Sequence, residues 1–139
     1  MDGLHLTADL YQCQCPAALL IDQVQLAQLC VGQTMRSGLQ VVAQRWFTFP
    51  FVGDKPAGVT GTVMLAESHL AVHTWPESGN VSIDLYVCNF SGDNTAKAHA
   101  LMNTLLKAFA PTRVQQQQLR RGDMSAAVPY ESPETVAGR

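Results

Sequence analysis

The sequence predicts an α+β domain in two layers, with two helices on one face of a largely antiparallel sheet and the element order β-α-β-β-β-β-α-β. Three observations carry this reading. Val81, Ile83, Leu85 and Val87 alternate with Ser82, Asp84, Tyr86 and Cys88, the period of a strand with one buried face. Ala98, Leu101, Met102, Leu105 and Phe109 recur at helical spacing and form one apolar stripe. Between that helix and an earlier helical segment, short β-rich runs follow one another directly, separated by turn residues.

The elements fall in order along the chain. Residues 5–11 read as a first strand with Leu6, Ala8 and Leu10 on one face. A Cys-Pro-Ala connection leads into a helix over 21–37, with Leu20, Val24, Val31 and Met35 as its expected stripe and Gly38 as its stop. Residues 39–48 are rich in β-branched and aromatic types and predict a strand; 50–58 is a loop punctuated by Pro and Gly. Strands are expected over 59–66, 69–75 and 81–88, with Pro76-Glu77-Ser78-Gly79 as the turn before the last. Asp93 or Asn94 can cap the second helix. Residues 112–119 form a final strand, placed at a sheet edge by its four glutamines.

A chain of 139 residues with 47% hydrophobic content fits one domain, expected over 1–122, with a polar, Pro-containing mobile tail over 123–139. A net charge of −2 with 14% charged residues gives no electrostatic footprint for nucleic acid or an anionic membrane. Low charge density also leaves apolar surface, which favours a partner subunit. Residues 1–10 lack the basic start and apolar run of a secretory signal, and no apolar stretch is long enough to span a bilayer. The expected location is therefore the cytoplasm, and there the four cysteines, Cys13, Cys15, Cys30 and Cys88, are not expected to form disulfides. Arg121-Gly122-Asp123 spells an integrin-type tripeptide, a coincidence in a chain read as cytoplasmic.

Chemistry concentrates in 65–77, where a hydroxyl nucleophile, two histidines and two carboxylates stand close together. Several plain readings compete for it. His69 and His73 are four apart, hence on one strand face, and suit zinc, but no third ligand stands nearby. Cys13-Gln14-Cys15 is half a metal site with no second pair to complete it, so no metal is expected. Ser68 lacks the Gly-x-Ser-x-Gly elbow of a serine hydrolase. An ordinary polar strand end accounts for the composition equally well.

The motifs decide further. Glu67-Ser68-His69, then His73-Thr74-Trp75-Pro76-Glu77, then Asp84 and Cys88, closely resemble the signature of the small prokaryotic S-adenosylmethionine decarboxylase proenzymes. Gly58-Val59-Thr60-Gly61 and the early His5-Leu6-x-Ala8 match as well, so the likeness covers about residues 5–122 in matching segment order. The resemblance implies self-cleavage between Glu67 and Ser68 into chains 1–67 and 68–139, through serine attack on the Glu67 carbonyl and β-elimination of the resulting ester. It leaves a pyruvoyl group at position 68 as the cofactor. His73 is implied to take the serine α-proton, work suited to an imidazole, with the Thr60 hydroxyl supporting the ester oxygen. The pyruvoyl carbonyl would form a Schiff base with the substrate amine and act as an electron sink. Cys88 is the implied proton donor after carbon dioxide leaves. Glu77 is expected on the ribose hydroxyls of S-adenosylmethionine, with Trp75, Phe49 and Phe47 around its adenine or sulfonium. A homodimer with active sites built from both subunits is implied, in the spermidine pathway.

Departures from the family pattern bear on specificity. Thr60 stands where serine is common, and Asp9 and Gln12 where two glutamates are usual; together with Asp84 they are further candidate site residues. Ser78 and Asn80 replace two aromatics, Val87 and Asn89 flank Cys88 where threonine and glycine are usual, and the 49–58 loop is longer. Because a site built to hydrogen-bond one substrate rejects its analogues strongly, such changes can redirect specificity. The alternatives are therefore a pyruvoyl-dependent decarboxylase of arginine or ornithine, or a non-catalytic homologue that acts as a partner subunit.

Overall fold

The computed structural model describes residues 2–133. Its strands are β1 (Gly3–Tyr11), β2 (Val41–Thr48), β3 (Val59–Leu65), β4 (Ser68–Trp75), β5 (Asn80–Cys88) and β6 (Arg113–Arg121); its helices are α1 (Ala18–Ile21), α2 (Gln23–Arg36) and α3 (Thr95–Phe109). The strands pair antiparallel in one sheet of order β2-β3-β4-β5-β1-β6. The α+β class and the expected element order hold, with the first helical segment divided in two.

Strand alternation sets the layers. Leu4, Leu6, Ala8 and Leu10 of β1, Val59 and Val63 of β3, Leu70 and Val72 of β4, and the odd-numbered apolar residues of β5 all point to one side. There they bury against Leu26, Leu101, Leu105 and Phe109 of the helices in a single core. Removing this apolar area from water, at about 25 cal/mol per Å², is what holds the two layers together. The intervening residues, among them His5, Asp9, Thr60, His69, His73, Asp84 and Tyr86, form an opposite face that none of the described helices covers. No described helix is long and apolar enough to cross a membrane.

The first helical segment departs from expectation. Asp22 takes an extended conformation (φ −108°, ψ 107°) and breaks the run, so that α2 starts afresh. Its carboxylate accepts from the Val24 N–H at 2.9 Å and the Gln25 N–H at 3.4 Å, the bonds of an N-cap. The break resets the helical phase. Leu26, Cys30 and Thr34 face the core, Val31 packs at its margin, and Val24 and Met35 point to solvent. A buried threonine at helical spacing escapes an apolar count; its hydroxyl is satisfied by donating to the Cys30 carbonyl at 2.6 Å.

Elsewhere the boundaries move little. Gly38 ends α2 at φ 90°, a left-handed position that glycine adopts freely. Asn94 occupies the N-cap position of α3 without a side-chain capping bond, and the Asp93 carboxylate instead accepts from the Thr95 N–H at 2.9 Å. The α3 stripe is buried as its spacing requires. β6 runs on through Arg120 and Arg121, is exposed along its length and lies at the sheet edge. A short 3-10 turn, Met124–Ala126, follows within the expected tail, whose residues 134–139 lie outside the described residues.

Candidate active site

The β3–β4 hairpin places the chemistry at its two ends. At the open end, Thr60 and His73 are direct cross-strand partners, and Thr60 Oγ1 lies 2.5 Å from His73 Nδ1. Gly58 lets the chain approach closely here, because a Cβ built on it would stand 1.9 Å from the Thr74 carbonyl oxygen. The loop after β2 folds back through a Phe49 N–H bond to the Gly58 carbonyl at 3.0 Å and walls a cleft of about 730 Å³. Phe49, Lys55, Thr60, His73, Trp75 and Glu77 line it. Phe47 lies outside the lining but meets Phe49 edge to face, with ring centres 5.1 Å apart. Five of the sequence-predicted site residues thus share one cleft.

At the turn end, Ser68 pairs with Leu65 across a two-residue connection, Ala66 and Glu67. Glu67 sits at φ 60°, left-handed and unfavourable for a side-chain-bearing residue by about 1–2 kcal/mol. The Ser68 hydroxyl oxygen accepts from the Cys88 N–H at 2.9 Å, so the end of β5 is fixed against the start of β4. The Cys88 carbonyl in turn accepts from the Asn94 amide at 2.8 Å, which ties this strand end to the start of α3. Cys88 itself is buried.

Ser68 and His73 are five residues apart on one extended strand, about 16 Å at about 3.3 Å per residue. The structure therefore brings together Ser68 with Cys88, and separately His73 with Thr60, Trp75 and Glu77. Within one chain it does not bring the two groups together.

Asp9 stands on the uncovered face, paired with Ser82, which is itself the partner of His73. Gln12 is spent on the chain reversal after β1. At φ 50° its N–H donates to Asn80 Oδ1 at 3.2 Å, and its side-chain oxygen accepts from the Thr112 hydroxyl at 3.2 Å. It borders a separate cleft with Tyr11, Ser78, Asn80 and Arg113.

One cluster was not legible in the sequence. His5 of β1 and His69 of β4 approach Asp84 Oδ1 from opposite sides, at 2.9 and 2.8 Å. Burial pushes the Asp84 carboxyl up, but the polar contacts and charge of His5 and His69 outweigh it and hold its pKa below the ordinary value. His69 is thus turned toward Asp84 while His73 is turned toward Thr60, so the two histidines share a face without converging as the zinc reading required. Burial, followed by repulsion from Cys15, pushes the Cys13 thiol up to about 11.

The family model described as S-adenosylmethionine decarboxylase matches residues 4–122. The chain belongs to the S-adenosylmethionine decarboxylase family. Curated relatives agree. The S-adenosylmethionine decarboxylase proenzyme of Aquifex aeolicus is 36% identical over 121 residues, covering 86% of this chain and 81% of the relative. That of Thermotoga petrophila is 34% identical over 135 residues, covering 96% and 95%. The crystal structure of the adenosylmethionine decarboxylase from Aquifex aeolicus superposes with a TM-score of 0.74 at 32% identity, covering 94% of this chain and 95% of that one.

Proposed function

We propose that this chain is a self-processing decarboxylase of S-adenosylmethionine that cuts itself between Glu67 and Ser68 and works through a pyruvoyl group at residue 68. The observation that carries the reading is the junction itself. A left-handed Glu67 precedes a serine whose hydroxyl oxygen is held by the Cys88 N–H. The family to which the chain belongs, and relatives named proenzymes, support the same reading. The residues present fit the group: a hydroxyl at a strained turn to generate it, and a buried cysteine on the neighbouring strand end whose N–H bonds to that hydroxyl. When formed, the pyruvoyl carbonyl supplies an electron sink for the loss of carbon dioxide.

The chain's own residues divide the remaining work. Glu67 is strained by about 1–2 kcal/mol, which favours rearrangement of the bond that follows it. With the proton on Nδ1 donated to Thr60 Oγ1, His73 presents a bare Nε2 that can take up a proton. The Thr60 hydroxyl then has its own proton free to donate to a developing oxygen. Cys88 provides the protonating group beside residue 68. Glu77 can accept hydrogen bonds from two ribose hydroxyls at the rim of the cleft, and Trp75 and Phe49 offer aromatic faces to adenine or a sulfonium.

The separation of about 16 Å between Ser68 and His73 supports a homodimer with shared sites. Stacking two uncovered faces about a two-fold axis that runs parallel to the sheet plane and perpendicular to the strands would lay the Thr60–His73 end of one copy over the Ser68–Cys88 end of the other. Phe47, Met64, Trp75 and Leu119 expose apolar surface on that face, as such an interface requires. The cytoplasm and the supply of an aminopropyl donor for spermidine are the setting proposed with it. Two tests on one sample decide the reading: intact mass under denaturing conditions, then carbon dioxide release from S-adenosylmethionine, arginine and ornithine. Two fragments meeting at Glu67–Ser68 and a preference for S-adenosylmethionine are expected. A stable single chain overturns self-processing, and a preference for arginine or ornithine reassigns the substrate.

A further inference from the structure

Four adjacent strands meet in one side-chain network on the uncovered face. His69 Nε2 of β4 and His5 Nε2 of β1 stand 2.8 and 2.9 Å from the same Asp84 oxygen on β5. Both contacts are diagonal across the ladder: Asp84 pairs in register with Thr7 and Ala71, whereas His5 and His69 both pair with Tyr86. Arg121 of β6 lies over the Tyr86 ring at 5.2 Å and reaches His5 Nδ1 at 3.5 Å.

The grouping of two imidazoles and a carboxylate is also what a divalent cation takes, but Arg121 argues against one. A guanidinium only donates, so His5 Nδ1 facing it is an acceptor and the ring proton sits on Nε2. A protonated Nε2 is not a metal ligand. His5 Nε2 lies 2.9 Å from Asp84 Oδ1 but makes no hydrogen bond among the described residues, so the hydrogen bond that ties this carboxylate across the sheet is the one from His69 at 2.8 Å.

We propose that Asp84 is a positioning residue. It fixes His69, and through His69 the first residue of the strand that self-cleavage sets free, against Cys88. The inference rests on the reading that the chain cuts itself before Ser68. Once the Glu67–Ser68 bond is broken, β4 begins with a free end, and strand ends fray unless side chains tie them down. The Ser68 hydroxyl, which held the Cys88 N–H in the uncut chain, is consumed in making the pyruvoyl group. The bond from His69 to Asp84 is then the nearest side-chain tie to residue 68. His5, backed by Arg121, flanks the carboxylate on its other side.

The test compares processed wild type with Asp84→Ala and Asp84→Asn, using intact mass, amide hydrogen exchange of the peptide 68–72, and kcat with KM. All three proteins are expected to cleave, because Ser68, Thr60, His73 and the Cys88 N–H are untouched. Exchange over 68–72 should rise about ten-fold in processed Asp84→Ala, with peptides from α3 unchanged. Its kcat should fall about ten-fold with KM altered less than about two-fold, on the scale of a lost charge-assisted hydrogen bond. Asp84→Asn retains one acceptor oxygen and should recover most of both. On an uncut Ser68→Ala background, Asp84→Ala should leave exchange over 68–72 nearly unchanged, because the hairpin is still closed. Unaltered exchange in processed Asp84→Ala overturns the positioning role while leaving self-cleavage standing. A wild-type chain that never cuts overturns both.

Discussion

The Cys88 backbone N–H donates to the Ser68 hydroxyl oxygen at 2.9 Å, so the nucleophile of the proposed cleavage is held by a group that side-chain substitution at 88 leaves in place. Ser68→Ala removes that acceptor and the nucleophile together. The variant is expected to remain a single chain of full mass, without decarboxylase activity. Leaving the Cys88 N–H without a partner should also lower its stability by about 1–3 kcal/mol, read by denaturant titration against the uncut His73→Ala chain. An active, uncut Ser68→Ala protein would sink the mechanism.

Cys88→Ala separates the two stages. The N–H bond to Ser68 survives, so two fragments should still appear by mass. Productive turnover should fall by about 10²–10⁴-fold, the usual contribution of a positioned acid. Full activity in the cleaved variant would remove Cys88 from the proton-donor role.

The distance between Ser68 and His73 makes subunit sharing testable by mixing. Ser68→Ala and His73→Ala should each stay uncut when made alone. When both are made in one cell, a heterodimer unites the His73 of one copy with the Ser68 of the other. The His73→Ala chain alone should then be cut, a result read directly from fragment masses. No cleavage in the mixture would mean that His73 serves the Ser68 of its own chain.

The sheet, both main helices and the β3–β4 hairpin were legible because period-2 and period-3.6 patterns survive wherever one face is buried. β5 and α3 are the clearest cases, with every residue of the expected α3 stripe in the core. The α2 stripe was misplaced because Asp22 interrupts the helix and resets its phase, a break that a continuous 3.6-residue count passes over. Of the site, Thr60, His73, Trp75, Glu77 and Phe49 were named from sequence and share a cleft. His5 was quoted only as part of a motif and Arg121 only in a chance tripeptide. Their meeting with Asp84 depends on β1 lying between β5 and β6, a pairing that no local pattern encodes.

Asp84 should leave a mark on acid stability. His5 faces it from β1 and His69 from β4, with Tyr86 of its own strand beside them and Arg121 of β6 behind His5. Its folded pKa lies below the ordinary 3.8. The carboxylate's contribution is therefore fully present above the unfolded value and is lost as pH falls through the lower folded value. Urea titrations from pH 7 to pH 2.5 should show wild type more stable than Asp84→Asn at neutral pH. The gap should close as pH falls from about 5 through and below the ordinary carboxylate range. A gap that widened between about pH 5 and pH 2.5 would mean that the carboxylate is not the stabilising form.

One substitution made at two glycines should have opposite effects, and the difference probes the geometry at His73. At Gly58 an added Cβ would stand 1.9 Å from the Thr74 carbonyl oxygen and 3.2 Å from Thr74 Oγ1. Neither can yield cheaply, since the carbonyl is backbone and Oγ1 accepts from the Val59 N–H at 2.8 Å while donating to the Leu20 carbonyl at 2.7 Å. Gly58→Ala must push the start of β3 away from β4, at a cost of about 1–3 kcal/mol, and carry Thr60 off its bond to His73. Self-cleavage, timed by mass, should slow along with the loss of thermal stability. At Gly32 in α2 nothing lies within 4 Å of an added Cβ, and Gly32→Ala should stabilise by up to about 1 kcal/mol through helix propensity without altering the cleavage rate. If Gly58→Ala cleaves as fast as Gly32→Ala, the close approach of β3 to β4 at this point does not set the Thr60–His73 pair.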